Sequence, residues 1–138
     1  ERFSSKFAYH SFGGYAHGQL AKMCKFEFRG YMGEKRKRLV EQFGYDTKNA
    51  AHLLRLLAMG AEFMRSGVLK VDRTGIDAEE LKAIKRGLWT LTAVRERSAL
   101  GFTELEEAAK TSALPPAPDV DAANKFLVEM TLREWGGK

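Results

Sequence analysis

Gly44-Tyr45-Asp46-Thr47-Lys48-Asn49-Ala50-Ala51-His52-Leu53-Leu54-Arg55-Leu56-Leu57 is the stretch whose reading decides the fold of this chain. Gly44 ends one element, Asp46 or Thr47 caps the next, and an apolar stripe follows. Ala50, Leu53, Leu54 and Leu57, continued by Gly60 and Ala61, recur at the i, i+3, i+4, i+7 spacing of a helix with one buried side. The stripe predicts a central helix from Thr47 to about Arg65, closed by Gly67. Lys48, Asn49, His52 and Arg55 interrupt the stripe on its other side. The first turn of a helix offers free N–H groups and a favourable dipole, so a phosphate would find donors, a lysine and an arginine together. A capped helix with a merely wet polar face would carry the same residues.

Working outward, the chain reads as helix after helix. Glu34 to Phe43 is a short basic helix ended by Gly44. Upstream, residues 1 to 11 read as an extended aromatic lead-in. Gly13-Gly14 reads as a turn, and a helix runs from about Gly14 to Phe26, with Phe28 to Gly33 as a loop. Downstream, Val68 to Arg73 alternates enough for a short strand or extended segment. Asp77-Ala78-Glu79-Glu80 reads as a capping box opening a helix that ends at Gly87. Thr90 opens a long helix to about Thr111, in which Gly101 marks a kink or a close backbone approach. Pro115, Pro116 and Pro118 separate a last helix, Asp121 to Trp135. The expectation is an all-α single domain over 1–138, a bundle of about five to six helices with at most one short extended segment. Phe43, Met59, Phe63, Met64, Leu81, Ile84, Leu88, Trp89, Leu91, Val94, Leu105, Phe126, Leu127 and Met130 are its candidate core.

Composition narrows the function classes only moderately. The 138 residues are 44% apolar and 30% charged, with a net charge of +5, which favours an anionic partner without naming one. No apolar run approaches the roughly 18 residues of a membrane span. Cys24 is the single cysteine, so an intrachain disulfide and a cysteine zinc cluster are both excluded. The reading expects a cytoplasmic protein with no membrane partner. His10, His17 and His52 lack the i, i+4 partner of a helical zinc site. Glu79/Glu80 and Glu106/Glu107 read as cap and surface residues.

Two further constellations carry binding chemistry. Lys35-Arg36-Lys37-Arg38 places four cations in a row on a helix. Successive side chains there point about 100° apart, so at most two or three can serve one phosphate backbone and the rest are solvated. Tyr9-His10-Ser11-Phe12-Gly13-Gly14-Tyr15 sets aromatics beside open backbone, which suits base stacking on Tyr15 and His10; it equally suits a tight turn with Phe12 and Tyr15 in the core.

The strings YHSFGGYAHGQL (9–20), YMGEKRKRLVEQFG (31–44), GYDTKNAAHLLRLLAMG (44–60), ELKAIKRG (80–87) and the Leu-Pro-x-x-Pro-Asp stretch (114–119) resemble one family. Over roughly residues 9 to 120 the chain resembles the C-terminal helical part of predicted nucleotidyltransferases of the DNA polymerase beta superfamily, a group linked to RNA repair. The resemblance implies a domain that closes over a nucleoside triphosphate, with Lys48 and then Arg55 on its phosphates. Asn49 and His52 would orient base, sugar or acceptor, and Lys85 and Arg86 would make a more distant contact. Lys35, Arg36, Lys37, Arg38, His10 and Tyr15 would face RNA or another nucleic acid. The family's Gly-Ser turn and metal-holding acids are not in this sequence, whose one Asp-x-Asp, Asp119 to Asp121, follows three prolines. The chain alone is therefore expected to bind no metal and to be inactive. Mg2+ and NTP belong to the complete enzyme, and the partner is a catalytic domain or a separately encoded catalytic chain. The competing expectation is a stand-alone basic helical module that binds nucleic acid, or an accessory module without catalysis.

Overall fold

A computed structural model describes residues 3–24 and 33–136. Among them lie six helices and no strand: α1 (Ala8–Cys24), α2 (Glu34–Phe43), α3 (Thr47–Ser66), α4 (Ala78–Lys85), α5 (Leu91–Thr111) and α6 (Val120–Trp135). The expected end of α1 at Phe26, the loop from Phe28 and the Cys24 side chain lie outside the described residues.

The apolar stripe of α3 is the axis of the bundle. Ala50, Leu53, Leu54, Leu57, Gly60 and Ala61 are all buried, and α3 packs against α1, α5, α4 and α2. Gly60 stands where two neighbours converge: a Cβ there would lie 2.9 Å from Phe12 of α1 and 3.0 Å from Leu105 of α5. Gly101 faces Leu57 at 3.0 Å in the same manner, while α5 continues unbroken through it. Gly101 is thus a close approach, not a kink.

Polar ties set the register of α3 at both ends. Asp46 Oδ1 accepts hydrogen bonds from the Lys48 and Asn49 N–H groups at 3.0 and 3.1 Å. Thr47 Oγ1 donates to the Lys85 carbonyl at the end of α4, and buried Tyr45 donates its hydroxyl to the Trp89 carbonyl at 2.6 Å. Burial pushes the Tyr45 phenol above its ordinary pKa. At the other end Ser112 donates to the Met64 carbonyl at 2.6 Å, and Gly67 closes the helix at φ 69°, a left-handed conformation that glycine adopts freely.

Several expectations are corrected. α1 begins at Ala8 and runs straight through Gly13-Gly14, so there is no extended lead-in at Ala8 to Ser11 and no Gly-Gly turn. Burial of Ala16 and Met23, with Phe12 and Leu20 packed on the core, outweighs the roughly 1 kcal/mol that each glycine costs a helix interior. Val68 to Arg73 forms no strand. Asp77 precedes α4 without capping it by a side-chain bond. Both of its carboxylate oxygens are engaged by the Arg73 guanidinium, at 2.8 and 2.6 Å, a charge-assisted fork stronger than a single cap bond.

Four core candidates are exposed instead. Leu88 lies in the turn after Gly87, and Phe126, Leu127 and Met130 belong to α6, which has no buried residue. The apolar side chains of α6 are spread around its axis and form no single stripe. The proline turn carries the helix past the bundle, which it meets through the Phe3–Phe126 ring contact at 6.1 Å. Trp135 is exposed as well. Among the described residues, no helix is long and apolar enough to cross a membrane.

Candidate phosphate-binding site

Lys48, His52 and Arg55 fall at i, i+4 and i+7 of α3 and therefore share one side of it, opposite the buried stripe. They line a cavity of about 480 Å³ together with Lys82 and Lys85 of α4 and the segment Val71 to Thr74. The Thr47–Lys85 hydrogen bond brings the two helices together at this point, so Lys85 stands beside the start of α3.

One wall of the cavity is held by a buried ion cluster. Arg73 is 6% exposed, and its guanidinium binds Glu62 of α3 at 2.7 and 2.9 Å as well as Asp77. The two carboxylates hold its charge more firmly than usual, Asp77 first. The Arg73 carbonyl also accepts N–H bonds from Ile76, Asp77 and Ala78. This one residue therefore orders the segment leading into α4. Its charge is spent on that task, which leaves Lys48, Arg55 and Lys85 facing the cavity, while Lys82 lines it with its ammonium paired to Glu79 at 2.7 Å.

The backbone donors expected for a phosphate are not free. Asp46, fully buried, already accepts from Lys48 N and Asn49 N and brings a negative charge to the helix start. The site is consequently built from side-chain cations on the flank of α3, not from the helix terminus. Asn49 is buried and does not line the cavity. Arg55 Nε is buried with no acceptor among the described residues, so the guanidinium holds a donor in reserve.

His52 records how positive the surroundings are. Its imidazole is pushed below the ordinary histidine pKa, first by partial desolvation and then by the charges of Arg55, Arg36, Lys85 and Lys22. A bound anion would offset those charges and raise the pKa again, so binding should take up a proton. Anion affinity is therefore expected to rise as pH falls between about 7 and 5. Sulfate keeps its charge over that range and is the suitable probe in calorimetry. The pH effect should vanish in His52→Gln; an unchanged effect in that variant would remove His52 from the site.

The four-cation run divides as its helical spacing requires. Arg36 turns toward α3, with Nε 3.7 Å from the buried Asp46 Oδ2. Lys37 pairs with Glu34 at 3.2 Å. Lys35 and Arg38 are exposed and line no part of the cavity. His10 and Tyr15 stand elsewhere, on the outer face of α1. His17, one side of α1 further on, stacks against Phe102 with ring centres 4.2 Å apart.

Sequence reasoning missed Lys82 and the Val71–Thr74 wall; Lys85, expected as a more distant contact, lines the same cavity as Lys48. Lys82 sits three residues before Lys85, a spacing that puts both on one helical side; only the docking of α4 shows that this side faces α3. Arg86 does not line the cavity. Among the described residues, no three His, Cys, Asp or Glu side chains gather as a metal site. Comparison with protein-family models, with curated proteins and with solved structures finds no match to this chain.

Proposed function

We propose that this chain is a helical domain that binds the phosphates of a nucleotide, serving as the cleft-closing half of a nucleotidyltransferase-like protein. The observation that carries the reading is the convergence of Lys48, Arg55, Lys82 and Lys85, with His52 among them, on one cavity. A triphosphate carries about three to four negative charges, and a partly enclosed set of cations holds such a group more strongly than isolated surface lysines do. The nucleotidyltransferase part of the reading rests on the resemblance of residues 9–120 to the helical half of polymerase-beta-type enzymes.

In that chemistry an oxygen nucleophile attacks the α-phosphorus and pyrophosphate leaves. Mg2+ held by the complete protein would supply charge neutralisation to the reacting phosphates. The cavity's charged side chains are cations with one carboxylate, Asp72, among them, a set that does not suit a metal ion, so the carboxylates that hold it would come from another domain or chain. Lys48 and Arg55 would steady the β- and γ-phosphates, and Lys85 the charge that grows on the leaving group.

Titration calorimetry with a nucleoside triphosphate at low salt tests the reading. Lys48→Ala should weaken binding about tenfold, and adding Lys85→Ala should weaken it by about tenfold more. Both side chains are exposed, so unfolding should be unchanged. In the complete protein Lys48→Ala should abolish nucleotide transfer. Absence of triphosphate binding at millimolar concentration, or equal affinities in all three proteins, would overturn the proposal.

A further inference from the structure

The outer face of α1 differs from the rest of the surface. His10, Ser11, Gly14, Tyr15, Gln19 and Lys22 border a shallow depression of about 470 Å³. The sequence of α1 contains no acidic residue. Tyr15 is 67% exposed, so its ring lies open beside the depression. The His10 ring is braced edge-on by Tyr9 and Phe7, with centres 5.3 and 5.7 Å away. At Gly14 and Gly18 the backbone is open to solvent, since a Cβ at either would meet nothing within 4 Å. From His10 to Lys22 the face extends about 18 Å along the helix.

We propose that this face is a stacking track for a single-stranded polynucleotide, running from His10 and Tyr15 to Lys22. The chemistry selects that ligand in three ways. An exposed ring beside open backbone accepts the flat face of any unpaired base. A depression whose described lining holds a cation and no carboxylate attracts the phosphates between bases. A duplex keeps its bases stacked on one another and would leave Tyr15 unused. A protein helix docking on the same face would look for a row of apolar side chains, and among the described residues the depression itself offers Tyr15, with Phe7 exposed beyond His10.

Fluorescence anisotropy with a labelled short oligonucleotide, run beside triphosphate calorimetry, tests the proposal. Tyr15→Ala should weaken oligonucleotide binding about tenfold, and Tyr15→Trp should restore it with quenching of the new indole. Lys22→Ala should flatten the salt dependence. Neither Tyr15 change should alter triphosphate affinity. Oligonucleotide binding that is absent, or indifferent to Tyr15→Ala, overturns the track even where triphosphate still binds. Tyr15-dependent oligonucleotide binding without triphosphate binding keeps the track and overturns the cavity reading instead. A duplex bound as well as a single strand also counts against stacking.

Discussion

Arg73→Ala is expected to lower stability by about 3 kcal/mol, seen as a fall in melting temperature of about 10 °C. The guanidinium is buried and serves two carboxylates, Glu62 and Asp77, whose side chains are 29% and 19% exposed. Removing it leaves two like charges close together and poorly solvated. Their partial exposure keeps the loss toward the low end of the range for broken buried pairs. Arg73→Lys should recover only part of the loss, because one ammonium cannot reproduce the two-sided fork. The effect reaches the site as well. Val71 to Thr74 wall the cavity, and Arg73 holds that segment in place, so anion affinity should fall together with stability. A melting temperature within a degree or two of the parent would show that the ion cluster does not order the wall.

Leu53→Ala is expected to cost on the order of 2–5 kcal/mol, comparable to a large share of the stability of an ordinary domain. Leu53 is fully buried on the central helix, and its neighbours along the stripe are buried too. Close contacts at Gly60 and Gly101 leave α1 and α5 little room to move inward, so the cavity should collapse only partly. Urea unfolding gives the magnitude. The size of the loss, set against its absence in Lys48→Ala, separates the packing side of α3 from its binding side. A loss below about 1 kcal/mol would place Leu53 outside the principal core.

Much of the architecture was legible because local rules agreed with the burial pattern. The α3 stripe, the caps at Asp46 and Thr90 and the left-handed glycines at 44 and 67 all appear where short-range signals put them. The start of α1 was not legible. Glycine propensity argued for a turn at Gly13-Gly14, and packing of Phe12, Ala16 and Met23 won. The apolar content of α6 argued for burial. Its side chains point in all directions, and composition by itself says nothing about whether a neighbour exists.

The site divides along the same line. Lys48, His52 and Arg55 share a side of α3 through helical spacing, which any reader of the sequence can count. That Asp46 takes the first-turn N–H groups, and that Asn49 is buried, follows from side-chain placement no spacing rule predicts. Lys82 and Lys85 reach the cavity because Thr47 bonds the Lys85 carbonyl, a contact 38 residues apart in sequence. The sequence by itself determined the extent of α3 and which of its sides is apolar, since both depend on interactions within a few turns. Only the tertiary structure decided which cations meet, because convergence depends on how α4 and the Arg73-braced segment dock on α3.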